Sequence, residues 1–95
     1  MNFNEYKKKA FAEDPELYRE YKALEPEYEI IKQVIKARSE QRLTQKELAE
    51  RIGIKQSNIS RFESGEYNPS LDFLKKLASG LGKEIHIEFR EAQQP

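Results

Sequence analysis

Ninety-five residues, 36% charged and 37% hydrophobic, leave room for one small core and little stability to spare. The absence of cysteine excludes disulfides and thiolate metal sites, and no apolar run approaches the ~20 residues of a membrane span. Formal net charge is zero, which opposes nucleic-acid binding only until its distribution is read: residues 36–66 carry seven Lys/Arg against five Asp/Glu, and residues 1–35 six against eight.

In chain order, NFNEYKKKAF spaces Phe3, Tyr6, Ala10 and Phe11 for a short amphipathic helix. Its mixed, basic character is not that of a signal peptide, so a cytoplasmic address is expected. Asp14-Pro15 predicts a new helix, with an acidic cap ahead of a proline at the first helical position. Leu17, Tyr21, Leu24 and Tyr28 recur on one side, and Pro26 is expected to break or restart the helix. EYEIIKQVIKARSEQ then sets Ile30, Ile31, Val34 and Ile35 on one face. Thr44 and Glu47 compose a capping box, with Leu43 and Leu48 as its hydrophobic staple. Gly53 stands where a left-handed residue ends that helix. Only Ile54 and Lys55 separate it from the next one, which stops at Ser64-Gly65. EYNP predicts a turn, and Ser70 caps a last helix striped by Leu71, Leu74, Leu77, Ala78 and Leu81, which Gly82 stops. EIHIEF alternates, with Ile85, Ile87 and Phe89 on one side, and predicts one short strand.

The stretch KQSNISRF is too polar for a core segment. At ~100° per residue, with Gln56 at zero, Ser60 falls near ~40°, Ser57 near ~100° and Arg61 near ~140°, while Phe62 and Ile59 fall near ~240° and ~300°. Two apolar anchors would hold such a helix down and leave Gln, Ser, Ser and Arg outward. A tight corner from a capped helix into one with an exposed polar face describes a helix-turn-helix. Gln pairs with adenine, Arg with guanine, and Ser with several bases. Face composition alone leaves a solvated surface helix as the alternative.

TQKELAERIGIKQSNISRFESG resembles the helix-turn-helix of phage-repressor-like regulators, the XRE family. That pattern wants Gln at the start of the first helix, a small residue four on, glycine in the turn and a β-branched residue in the second helix. Gln45, Ala49, Gly53 and Ile59 supply these, and Leu48, Ile52, Ile54 and Phe62 fill the apolar positions. The resemblance covers residues 30–82. It implies that Gln56, Ser57, Ser60 and Arg61 face the bases of double-stranded operator DNA, and that Gln45, Ser64 and the Asn68 turn hold phosphates. One departure is Lys55, where the family commonly has a Ser or Thr cap. Losing a cap costs about 1 kcal/mol, and a cation at a helix N-terminus is disfavoured. Lys55 is therefore assigned to a phosphate or a guanine edge, with drift at an exposed position as the alternative.

Helical register also places Arg38 between Val34 and Ile35, and Glu63 ~40° from Ile59. Neither charge can stand unpaired against a core, so Arg38 and Glu63 are expected to pair; the same pair is familiar in the resembling repressors. The segment DPELYREYKALEPEYEIIKQVIKAR resembles the leader of HigA-type antitoxins, the repressor half of type II toxin–antitoxin pairs. This implies a partner like the HigB or RelE toxins, a small basic ribonuclease. An acidic, aromatic-rich leader suits such a partner, with Phe3, Tyr6, Phe11, Leu17, Tyr18 and Tyr21 as candidate contacts. The alternative is that these aromatics pack the leader onto the core. A lone strand cannot satisfy its backbone, so residues 84–89 are expected to pair with a second copy through Ile85, Ile87 and Phe89, or else with a sheet edge of the toxin.

Catalysis is not expected. His86 is the only histidine, and no nucleophile elbow, carboxylate dyad or phosphate-cradling glycine loop accompanies it; no cofactor or metal is expected either. The sequence thus predicts an all-α, phage-repressor-like helix-turn-helix bundle. Residues 1–26 form an N-terminal helical extension, 27–82 the DNA-binding domain and 83–90 a strand for dimerisation. The expected function is an antitoxin that neutralises an mRNA-cleaving toxin and represses its own operon as a homodimer, forming a heterotetramer with toxin and touching no membrane. The alternative is a stand-alone regulator without a toxin.

Overall fold

The periodicities become helices in the computed structural model, which describes residues 3–92. In order these are α1 (Phe3–Glu13), α2 (Pro15–Glu40), α3 (Gln45–Ile52), α4 (Gln56–Glu63) and α5 (Leu71–Gly80). Two compact units result: Glu27–Glu88, and a second made of the residues up to Pro26 with those from Phe89 on. Among the described residues no helix is long and apolar enough to cross a membrane.

Within the larger unit, Leu48, Ile59, Phe62 and Leu77 are the fully buried large side chains, and Val34, Ala37, Leu43, Ala49, Phe73 and Leu81 close the core around them. Each buried Val, Leu, Ile or Phe side chain among them contributes about 1.5–3 kcal/mol through burial. Ile35 is left 37% exposed, one position beyond the buried edge of its helix. Helices α3 and α5 approach closely at Gly80, where a Cβ would collide with the Ile52 side chain and press on Leu48. The last carbonyls of α5 are satisfied by long side chains from elsewhere, Arg51 donating to Gly80 at 3.0 Å and Gln41 to Leu81 at 2.8 Å. These close a helix end whose own sequence offers no basic residue.

In the smaller unit, the Asp14 carboxylate accepts from the backbone of Glu16 and Leu17 and caps α2. The rings of Tyr18 and Tyr21 pack on Phe11, at centroid distances of 5.4 and 5.0 Å. Lys7 donates to the Tyr21 hydroxyl at 2.7 Å.

Two expectations are corrected. Pro26 does not break the helix, since α2 runs through it to Glu40. Proline forfeits the bond to the Lys22 carbonyl, but both residues are exposed, so water can take that carbonyl. The Lys22–Glu25 pair at 2.7 Å also spans the same turn, and its hydrogen bond raises the Lys22 ammonium above the ordinary lysine value. The C-terminal strand does not form either: residues 83–92 carry no regular secondary structure. Alternation supplies a strand's side-chain pattern but not the second backbone that its N–H and C=O groups require. Ile85 is half-buried, while Ile87 and Phe89 stand 60% and 99% exposed.

Candidate nucleic-acid interface

Local sequence builds α3 almost completely. The Thr44 hydroxyl accepts from the Glu47 backbone at 3.0 Å, and the Glu47 carboxylate accepts in return from the Thr44 N–H at 3.0 Å. The bond from the Thr44 N–H, followed by hydrogen bonding to the Thr44 side chain, holds the Glu47 carboxyl below the usual carboxylate range. At the other end Gly53 takes φ 72° and ψ 36°, a left-handed turn that a Cβ would strain. Two residues later Lys55 is extended, its side chain caps nothing, and α4 begins.

The register expected for α4 is observed. Ile59 and Phe62 are 0% and 1% exposed, while Gln56, Ser57, Ser60 and Arg61 all face solvent. Lys55, Ser64 and Asn68 are exposed beside this ridge. Among the described residues no hydrogen bond or ion pair occupies the Arg61 guanidinium, which lies 5.5 Å from the centre of the Tyr67 ring.

Beneath the ridge, Arg38 and Glu63 meet. Arg38 Nε donates to Glu63 Oε2 and Nη2 to Oε1, both at 2.9 Å, with the two side chains 19% and 6% exposed. Arg38 Nη1 also donates to the Leu43 carbonyl at 2.9 Å. Gln45 joins them, its Nε2 donating to Glu63 Oε1 at 2.9 Å. Through Arg38 and Gln45 the carboxylate thus ties α2 and α3 to α4, and Arg38 also holds the loop between α2 and α3. Among the described residues no buried side-chain nitrogen or oxygen lacks a partner, the condition under which a buried ion pair is tolerable.

Sequence reasoning did not foresee this role for Gln45. One amide proton and the helix backbone remain for a phosphate. Ser64 is more committed: its hydroxyl donates to the Arg61 carbonyl at 3.1 Å and its N–H to the Ser60 carbonyl. A phosphate there would have to draw that hydroxyl away. Tyr67 was also missed, because a lone half-buried tyrosine in a turn carries no pattern.

Among the leader residues, Tyr6 and Leu17 are exposed by 63% and 39%, whereas Phe11, Tyr18 and Tyr21 are half-buried on one another. The Phe3 side chain lies outside the described residues. Among the described residues no group of three His, Cys, Asp or Glu could hold a metal ion.

Residues 34–87 match the helix-turn-helix family. The chain is similar to an uncharacterized HTH-type transcriptional regulator of Haemophilus influenzae, 35% identical over 86 residues that span 90% of this chain and 83% of that one. It also resembles the immunity repressor protein of Bacillus phage phi105, 43% identical over 54 residues, 56% of this chain and 38% of that protein. Among solved structures, a chain described as a toxin–antitoxin module from Streptococcus pneumoniae superposes with a TM-score of 0.64. It is 28% identical, and the match spans 96% of this chain and 94% of that one.

Proposed function

The chain belongs to the helix-turn-helix family, and from that premise we propose that it represses its own operon by laying α4 in the major groove of an operator. The observation that carries this reading is the α4 ridge: four side chains able to read bases stand in solvent, on a helix whose opposite side is fully buried. Gln56, Ser57, Ser60 and Arg61 contact bases. Lys55, Gln45, Ser64 and Asn68 meet phosphates, and the uncapped N-terminus of α4 adds backbone donors beside Lys55. Selection of duplexes from a randomised pool, followed by affinity measured against salt, tests it. A selected sequence whose affinity falls steeply with salt supports the reading; no enrichment and no salt dependence would refute it.

The second half of the proposal is that the same protein is a HigA-type antitoxin whose leader neutralises an mRNA-cleaving, HigB-like toxin. Support comes from the likeness to the toxin–antitoxin module along almost the whole chain and from the acidic, aromatic leader. Tyr6 and Leu17 are its exposed anchors, with Phe3, Phe11, Tyr18 and Tyr21 as further contacts. A homodimer, formed by burying Ile85, Ile87 and Phe89 against a second copy, would space two α4 helices about 34 Å apart or a multiple of it, and two toxins would complete a heterotetramer. Pairing Tyr6→Ala with Leu17→Ala should abolish protection of cells expressing the cognate toxin while sparing duplex binding. Undiminished protection would remove the leader from toxin binding. The alternative is a stand-alone regulator, in keeping with the Haemophilus relative, an uncharacterized HTH-type transcriptional regulator whose likeness extends into the leader. Absence of any co-purifying ribonuclease from the native host would select it.

A further inference from the structure

The loop after α4 carries a side chain that no motif marks. Tyr67 is half-buried in the stretch between α4 and α5, its ring set edge-on to Phe73 at a centroid distance of 5.1 Å. Phe73 in turn packs on Phe62 at 5.7 Å. Both phenylalanines belong to the core. A line of three rings therefore runs from the buried anchor of α4 out to the surface and ends under the Arg61 guanidinium, 5.5 Å above the Tyr67 ring.

Arginine is the costliest side chain on the ridge to immobilise, because it has the most rotamers to lose. A guanidinium that must meet a guanine edge bidentately has to arrive in one plane and at one height. A ring fixed from below limits the rotamers while leaving the N–H donors free, since a π face attracts the cation without accepting its in-plane hydrogens.

We propose that Tyr67 is a positioning residue for base recognition, holding Arg61 extended and oriented before the duplex arrives. The proposal rests on the operator-binding reading of α4 and adds to it a residue outside the α3–α4 helix pair. Its energetic reach is that of an exposed cation–π contact, about a two- to five-fold change in affinity. The effect is confined to the base pair that Arg61 reads.

The test uses the full chain and a duplex selected by the wild type from a randomised pool. Tyr67→Leu should weaken binding to that duplex about two- to five-fold, and relax preference at the same base pair that Arg61→Ala relaxes. Tyr67→Phe, which keeps the ring, should behave as wild type. In the Arg61→Ala background, Tyr67→Leu should cost nothing further. Equal losses in the two backgrounds, or preference relaxed uniformly across the site, would overturn the role of Tyr67 while leaving operator binding intact. Failure of the wild type to enrich any sequence would overturn operator binding, and this proposal with it. Thermal unfolding of each variant separates a loss of fold from a loss of positioning: a Tyr67→Leu effect that tracks unfolded fraction alone counts against the proposal.

Discussion

Helices α3 and α4 have the same length and each buries a large apolar anchor, Leu48 and Ile59, completely. They differ in what ends them. The first is closed at its N-terminus by a reciprocal capping box and at its C-terminus by a left-handed glycine. The second begins at a lysine that caps nothing and is fastened from outside, by Phe62 in the core and by Glu63 reaching Arg38 and Gln45. A helix that spends its local signals on stability has fewer side chains left for a ligand. In α4 the work of folding falls to the neighbours, and four positions, Gln56, Ser57, Ser60 and Arg61, stay exposed.

The comparison breaks most completely at Phe62. Phe62→Ala should cost about 3–5 kcal/mol through lost burial and a residual cavity, read as a drop in the midpoint of thermal or denaturant unfolding. α4 should lose order together with α3 rather than alone. Next in size is the ion pair. Arg38→Ala, which leaves the Glu63 carboxylate buried with Gln45 as its remaining partner, should cost up to the about 3–5 kcal/mol of a broken buried pair, and Arg38→Met with Glu63→Leu should cost less than either change alone. Additive losses in that double-mutant cycle would mean that the bidentate geometry carries no coupling.

Smaller effects sharpen the contrast between the caps. Thr44→Ala should destabilise by about 1 kcal/mol. The Glu47 side of the box has a pH signature. Its carboxyl is held below its ordinary value in the folded chain, so its stabilisation is complete above the unfolded carboxylate range and is lost as pH falls through the folded value. The stability gap between wild type and Glu47→Gln should therefore close in acid, measured by denaturant titrations across that window. At α4 the sign reverses: Lys55→Ser restores a cap and should stabilise by about 0.5–1 kcal/mol while weakening duplex binding. A variant that is more stable and binds equally well would return Lys55 to an exposed residue without a role.

How much of this was legible beforehand follows from the range of the forces. The capping box, the Gly53 turn and the buried side of α4 depend on residues within one helical turn of one another, so spacing alone exposed them. The Arg38–Glu63 contact spans 25 positions, yet it too could be anticipated, because two charges facing a core must be neutralised and each was the other's available partner. At Pro26 local propensity misleads, because it weighs a missing N–H heavily while the chain weighs it against the rest of a 26-residue helix. EIHIEF misleads for the opposite reason, since a strand is a relation between two segments and one sequence segment shows only half of it.

The sequence by itself therefore determined the helices of the reading unit, their register and their shared core, because periodicity and capping act over a few residues. Tertiary structure alone decided that Gln45 joins the buried carboxylate, that Arg51 and Gln41 close α5, and that Tyr67 lies under Arg61. The hydrogen bonds among these join residues 18 to 40 positions apart, and the last contact depends on the packing of Phe62, Phe73 and Tyr67 that seats the ring.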